Sequence, residues 1–275
     1  MNLRIVKLLE GVPGLLWDKG PKDIDFVVIR ENVEDFYIRL GGRALRGSSH
    51  FQLPLVRKTY RTAFNVDVRT DAGEIGFQIG CISREGSKRV LKYGFELARK
   101  TGKTRVSVLD KANVLPEMYL LWREVAAEVA KDYPEIELEF MYADAATMWF
   151  VKNPEHFQVV VAPNLFGDIV TDLAAAVSGG MGMAPGANIN PNGTSMFEPI
   201  HGSAPKYAGQ NIVNPIAAIW AGALLLDHLG EQKAARRITE AIAGIVKAGK
   251  IKTRDLGGTA KTTEMGDAIA NAAIK

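Results

Sequence analysis

Apolar residues in this chain recur with two different periods, and the period decides the element. Asp25-Phe26-Val27-Val28-Ile29 is a short β-branched run stopped at once by Arg30-Glu31-Asn32, the pattern of a buried strand. Residues 104–109, 136–141 and 157–162 read as further strands. Between them the spacing lengthens to that of a helix. Ser83 is placed to cap a helix running to Lys100, with Val90, Leu91, Phe95, Leu97 and Ala98 near helical spacing and Gly102 just past its end. Pro116 sits in the first turn of a second helix over 116–131. Pro163-Asn164 leads into a third over 165–177, closed by Ser178-Gly179-Gly180. Alternation of this kind predicts a largely parallel sheet covered by helices.

Two stretches break the alternation. Residues 41–54 are rich in Gly, Ser and Arg and carry no period, after which 65–70 and 74–82 read as a hairpin turning at Asp71-Ala72-Gly73. Residues 179–209 also lack a period. A connection this long is usually functional, which makes it a candidate ligand-binding stretch and a crossing between two domains, 1–178 and 179–275. Helical patterns over 214–229, 231–248 and 264–274 occupy the rest.

Composition narrows the class. At roughly 150 residues per domain, 275 residues favour two. With 47% hydrophobic and 24% charged residues the chain can build a core, which excludes disorder as its main state. The 34 Lys+Arg against 31 Asp+Glu leave a charge of +3, too small and dispersed for a nucleic-acid surface. Cys81 stands alone and no Cys/His cluster has zinc spacing, so a reducing cytoplasmic setting is expected. The most apolar run, 215–226, is well short of the roughly 18 residues of a membrane span, and no secretion signal opens the chain.

Asp168 and Asp172 are four apart on one face of a predicted helix and repel unless something neutralises them. Mg²⁺ or Mn²⁺ would do so, and a merely solvated helix face is the competing reading. Asp144, at a strand end, is either a third ligand or a helix cap. Lys111 and Asn113 follow the strand ending at Leu109-Asp110, where open α/β sheets bind ligands; Lys111 is a candidate acid or base against the alternative of an ordinary surface lysine. Arg30 suits a substrate carboxylate and the Tyr37 phenol a proton donor, although alone either is more often structural. Glu198-Pro199-Ile200-His201-Gly202-Ser203-Ala204-Pro205, continued by Lys206-Tyr207 to Asn214, offers backbone N–H groups to phosphates and a histidine to an adenine. The nearest G-x-G-x-x-G candidate, at 180–185, fails at its sixth position.

Ile29-Arg30-Glu31-Asn32, Asp110-Lys111-Ala112-Asn113, Asn164-Leu165-Phe166-Gly167-Asp168 and the 198–205 run, in that order, resemble the isocitrate/isopropylmalate dehydrogenase family of metal-dependent β-decarboxylating dehydrogenases. The resemblance runs over essentially the whole chain. It implies an α/β fold, an isopropylmalate dehydrogenase-like mixed sheet with helices on both faces. It further implies that Arg4 and Arg30 hold substrate carboxylates, Tyr37 and Lys111 handle protons, and Asp168 and Asp172 ligate Mg²⁺ or Mn²⁺. Asp144 would serve the partner subunit's site, so a homodimer is implied, with neither nucleic acid nor membrane as partner. Asn113, Glu198, His201, Gly202, Ser203, Ala204, Lys206, Tyr207 and Asn214 would bind NADP or NAD. The implied reaction is oxidation of a 2-hydroxy acid at C2 followed by loss of its β-carboxylate as CO2.

Leu9-Glu10-Gly11-Val12-Pro13 and residues 78–84 resemble the isopropylmalate or tartrate/malate types more than isocitrate types. Lys206-Tyr207 stands where NAD-using relatives carry an aspartate, which favours NADP, whereas the compact loop at 253–258 resembles NAD types. Members of the family normally carry a glycine-rich strand-turn segment and a helix with a first arginine ahead of anything like Asn2-Leu3-Arg4. The chain is therefore expected to match the second domain and the C-terminal part of the first, and, made alone, to dimerise without turnover. The alternative is a regulatory-type subunit or dimerisation module, against which stands the retention of Tyr37, Lys111, Asp168 and Asp172.

Overall fold

The structure, a computed structural model, describes residues 1–274. Along the chain come β1 (Asn2–Lys7), β2 (Asp25–Arg30), β3 (Asp35–Val56), β4 (Arg61–Cys81), α1 (Arg84–Lys100), β5 (Arg105–Asp110), α2 (Pro116–Ala130), β6 (Glu137–Tyr142) and α3 (Ala143–Lys152). They are followed by β7 (Val159–Ala162), α4 (Asn164–Val177), β8 (Pro185–Asn188), β9 (Met196–Pro199), α5 (Ile216–His228), α6 (Gln232–Ala248) and α7 (Thr262–Ile274).

Seven strands form one sheet in the order β6-β5-β7-β2-β1-β8-β9. The four expected strands are its parallel half, β2, β5 and β7 as apolar runs inside the sheet and β6 at its edge, while β1 runs antiparallel to both β2 and β8. Successive residues explain why those runs are continuous. Val28, Leu109 and Val160 face a core built with α3 to α7, whereas Ile29, Val108 and Val161 face one built with α1 and α2. A strand covered on both faces needs apolar side chains at every position. Ser83 caps α1 as expected, its hydroxyl accepting from the Gly86 N–H at 3.0 Å.

The hairpin differs from expectation. Residues 41–54 belong to β3 and pair along β4, and the chain reverses at residues 57–60, where the Arg57 N–H donates to the Tyr60 carbonyl at 2.9 Å. Asp71-Ala72-Gly73 lies inside β4, at a bulge between the pairs Leu45↔Glu74 and Gly47↔Thr70. Phe64, Val66 and Val68, then Ile75, Phe77 and Ile79, alternate with exposed residues along β4, whereas Gly, Ser and Arg over 41–50 leave β3 without an apolar pattern. The passage 179–209 likewise holds β8 and β9, each four residues long and built with Pro185, Gly186 and Pro199. Proline and glycine in strands this short, at or next to the sheet's edge, read as loop in a sequence.

The parallel strands end on one side of the sheet, which gathers Arg30, Asp110 with Lys111, Tyr142 with Asp144, and Asn164 along one edge. Antiparallel β1 brings its first residues to the same edge, with Asn2 opposite Arg30.

Candidate active site

Arg30 ends β2 almost buried, at 8% exposure. Its Nε donates to the Asn164 carbonyl at 3.0 Å and to Asn164 Oδ1 at 2.9 Å, Nη2 donates to the same Oδ1 at 2.7 Å, and Nη1 donates to Asp168. Asn164 is held in turn, its Nδ2 donating to the Glu34 carbonyl at 3.0 Å. Gly167 is required by this packing, because a Cβ there would meet Arg30 Cγ at 2.7 Å. Helix α4 begins after Pro163, which has no capping side chain. Asp35 caps it instead, accepting from the Leu165 N–H at 2.7 Å and from the Tyr119 hydroxyl at 2.9 Å.

Tyr37 donates its hydroxyl proton to Asp168, and the Arg30 guanidinium lies 4.7 Å above its ring. That hydrogen bond, with partial burial, pushes the phenol above its ordinary pKa, so Tyr37 keeps a transferable proton at neutral pH. Arg4 faces the same group of charges. Burial and then Arg30 lower its pKa, while Glu198, Asp168 and Asp172 oppose them. Two guanidiniums and two carboxylates therefore meet on one side of the chain. Asp168 and Asp172 fit a hard divalent cation as a donor set, being oxygen ligands one turn apart on α4 with Asp172 exposed.

Lys111 lies elsewhere. Its Nζ donates to Asp144 Oδ1 at 2.6 Å and sits 5.6 Å over the Tyr142 ring. Asp144 occupies the first turn of α3, whose cap position is Tyr142. The Lys111 hydrogen bond holds its carboxyl below the usual range. Among the described residues no three His, Cys, Asp or Glu side chains gather as a metal-holding group, so Asp144 does not join Asp168 and Asp172 within one chain. Asn113 is exposed in the turn after Lys111. The adjoining Asp110 is buried, and Arg123 contacts both its oxygens, at 2.6 and 3.0 Å.

A third group lines a cleft of about 610 Å³. His201, Ser203, Ala204, Tyr207 and Asn214 face it, joined by Arg254 and Asp255. Gly202 and Ala204 turn the backbone there with φ of 68° and 42°. Lys206 folds over Tyr207, its Nζ 4.7 Å from the ring centre. Asp255 is engaged by Asn214 Nδ2 at 2.9 Å and by Thr253 Oγ1 at 2.5 Å. Glu198 is placed differently from its neighbours in sequence: it lies on β9, accepts from Asn188 Nδ2 at 2.9 Å, and acts on Arg4. Sequence reasoning assigned no role to Asn164, Asp35, Asp255 or Asn188. Only Asn164 carried a signal, as the first residue of the Asn-Leu-Phe-Gly-Asp run.

The model of the isocitrate/isopropylmalate dehydrogenase family matches residues 1–269. The chain belongs to this family. It is 40% identical to a probable tartrate dehydrogenase/decarboxylase of Agrobacterium vitis over 98% of this chain and 70% of that one. It is 41% identical to the decarboxylating D-malate dehydrogenase of Escherichia coli K12, over 100% and 72% respectively. A 3-isopropylmalate dehydrogenase of Thermobifida fusca is 40% identical over 98% and 69%. The crystal structure of isocitrate dehydrogenase from Methylococcus capsulatus superposes with a TM-score of 0.82 at 34% identity, covering all of this chain and 73% of that one. The expected mixed sheet with helices on both faces is thus the family fold. Membership makes this chain a decarboxylating dehydrogenase of a small hydroxy acid, in a family dependent on pyridine nucleotide and divalent metal. Among the described residues no helix is long and apolar enough to cross a membrane.

Proposed function

We propose that in the active enzyme this chain takes part in oxidising and decarboxylating a 2-hydroxy dicarboxylate of the tartrate, malate or isopropylmalate type, with a preference for NADP, in a cytoplasmic homodimer whose two active sites each draw on both subunits. One observation carries the reading: the proton-handling and acidic residues fall into two separate groups, Arg4, Arg30, Tyr37, Asp168 and Asp172 in one and Lys111 with Asp144 in the other. The helices bearing them supply a surface to join the groups. Met148 and Val151 of α3 and Ile169 of α4 are apolar and exposed, and the two helices pack together. A two-fold pairing on this face is self-complementary and would offer each α3 to the other subunit's α4. Segment 1–178 would then supply the substrate groups and the pairing surface, and 179–275 most of the cofactor cleft.

Two guanidiniums suit a substrate with two carboxylates, and the fork of Arg30 is already oriented by Asn164. When bound, the divalent cation would stabilise negative charge on the substrate oxygen and the nicotinamide would accept the hydride. Lys111 takes the C2 hydroxyl proton as the C2 hydride departs, leaving a 2-oxo acid. Loss of the β-carboxylate as CO2 leaves its electron pair at C3, and Tyr37 returns a proton there. Tyr37 is protonated at neutral pH, as this donation requires.

The NADP preference rests on the wall of the cleft. Arg254 lines it and Lys206, folded over the lining Tyr207, stands next to it, so both can offer cations to a 2′-phosphate, while the acidic group in the lining, Asp255, already accepts from Asn214 and Thr253 rather than standing ready for ribose hydroxyls. A higher kcat/KM with NADP than with NAD is expected, and Lys206→Asp should move the ratio toward NAD. An unaltered ratio in that variant would remove Lys206 from the cofactor site.

Subunit complementation tests the shared site. Lys111→Met and Asp168→Asn chains, each inactive alone, are unfolded together and refolded. Random pairing makes half the dimers mixed, each with one intact site, so about a quarter of the wild-type activity should return. No recovery in a mixture shown to contain mixed dimers would place both groups in one subunit's site.

A further inference from the structure

Two amide side chains, Asn2 and Asn188, join Arg4 to Glu198 in one direction. Arg4 Nε donates to Asn2 Oδ1, Asn2 Nδ2 donates to Asn188 Oδ1 at 3.0 Å, and Asn188 Nδ2 donates to Glu198 Oε1 at 2.9 Å. Asn32 Nδ2 also donates to Asn188 Oδ1, at 2.9 Å. The ends fix the sense of the middle. A guanidinium can only donate, so Asn2 must turn its oxygen toward Arg4 and its nitrogen toward Asn188; a carboxylate can only accept, so Asn188 must turn its nitrogen toward Glu198. Reversing Asn2 breaks two bonds at once, and reversing Asn188 breaks three. Asn2 is 4% exposed, where an unmade hydrogen bond is expensive.

The chain of bonds also crosses the sheet. Asn2 and Arg4 lie on β1, Asn188 on β8 and Glu198 on β9, while Asn32 follows β2 beside Arg30. Arg4 and Asn2 point to the same side of β1, and Asn2 pairs with Asn188 in register. We infer that Asn188 is a positioning residue for substrate recognition: it fixes the amide of Asn2, and through it the direction in which the Arg4 guanidinium meets a substrate carboxylate, with Glu198 anchoring the far end. The inference rests on the reading of Arg4 as a carboxylate-binding residue.

The test is binding of tartrate, D-malate and 3-isopropylmalate, titrated calorimetrically to the protein without nicotinamide, together with kcat and with melting curves that confirm folding. Asn188→Leu removes both functions of the amide and should weaken the best-bound acid by roughly tenfold, the scale of one hydrogen bond to a charged group, with a smaller change in kcat at saturation. Asn188→Asp is nearly isosteric and serves if the leucine variant does not fold. It still accepts from Asn2 and Asn32 but sets a second carboxylate against Glu198, so its binding defect should grow with rising pH and shrink in acid, where a shared proton restores a donor. In an Arg4→Ala background neither change should weaken binding much further. Arg4→Ala without effect on binding, or no acid binding at all, overturns the Arg4 reading and the inference with it. A strong Arg4→Ala effect beside full-strength, pH-independent binding in Asn188→Asp, or fully additive losses, overturns the inference alone.

Discussion

Arg30 and Lys111 stand at the ends of two parallel strands in one sheet with only β7 between them, yet they are held in opposite ways. Arg30 is buried in a polar network through Asn164 and Asp168, on a helix that Asp35 caps from outside. Lys111 has a single short bond to Asp144, whose side chain is 69% exposed. A buried guanidinium is costly to leave unpaired, so every member of its network must be present and its position follows from the fold alone. An exposed ion pair contributes little and can rearrange at little cost. The group that fixes a substrate carboxylate is thus preorganised within the chain, while the group that moves a proton waits on a surface that another subunit is proposed to complete.

The largest effects expected from this contrast separate stability from chemistry. Asn164→Ala removes the acceptor of two Arg30 donors and the donor to the Glu34 carbonyl inside the protein, and should cost about 3 kcal/mol or more, read as a large fall in melting temperature. Lys111→Met should leave the melting temperature where an ordinary surface substitution would, yet lower kcat by roughly 10²-fold with less effect on substrate KM. A destabilised Lys111→Met, or an Asn164→Ala as stable as the wild type, would erase the distinction between the two regions.

The sequence made this division half visible. Strands β2, β5 and β7 were legible because burial on both faces forces nearly uninterrupted apolar runs, edge strand β6 because Ile136, Leu138 and Phe140 alternate with Glu137 and Glu139, and the Asp168/Asp172 spacing because a helix repeats nearly every four residues. The ribbon of β3 and β4 was misread at its turn because Gly, Ser and Arg over 41–50 hide β3, and because Asp71-Ala72-Gly73 has the composition of a turn yet lies at a bulge inside β4. Asn164 and Asp35 were not readable as determinants of the site: Asn and Asp favour turns and caps everywhere, and only the tertiary pairing of Asp35 with Leu165, 130 residues away, shows which helix is capped. Glu198 was grouped with the cofactor loop by its neighbours in sequence. Its link to Arg4 depends on β8 pairing with both β1 and β9, a fact of topology rather than of motif.

The two regions should also answer pH with opposite signs. Burial raises the pKa of Asp35, so the folded state holds a proton there that the unfolded chain releases first. Its contribution is fully present below the ordinary carboxylate value and is lost as pH rises through the raised one. Asp35→Asn keeps an acceptor for the Leu165 N–H without the buried charge. Its stability relative to the wild type, followed by denaturant unfolding from about pH 4 to pH 8, should therefore improve as pH rises over that window. A difference that does not vary with pH would mean that Asp35 titrates alike in both states.

The smallest effect belongs to Asp144, and its sign is the reverse. Lys111 lowers its pKa, so the folded state gives up this proton more readily than the unfolded chain does. The contribution is present above the ordinary carboxylate value and is lost as pH falls through the depressed one, in the acid range only. Asp144→Asn should accordingly be slightly less stable than the wild type near neutral pH and indistinguishable from it at the acid end, with 1 M salt narrowing the neutral difference because the pair is exposed. A large neutral difference that salt leaves untouched would show that Lys111 and Asp144 are as firmly built into the fold as Arg30, and the contrast between the two regions would fail.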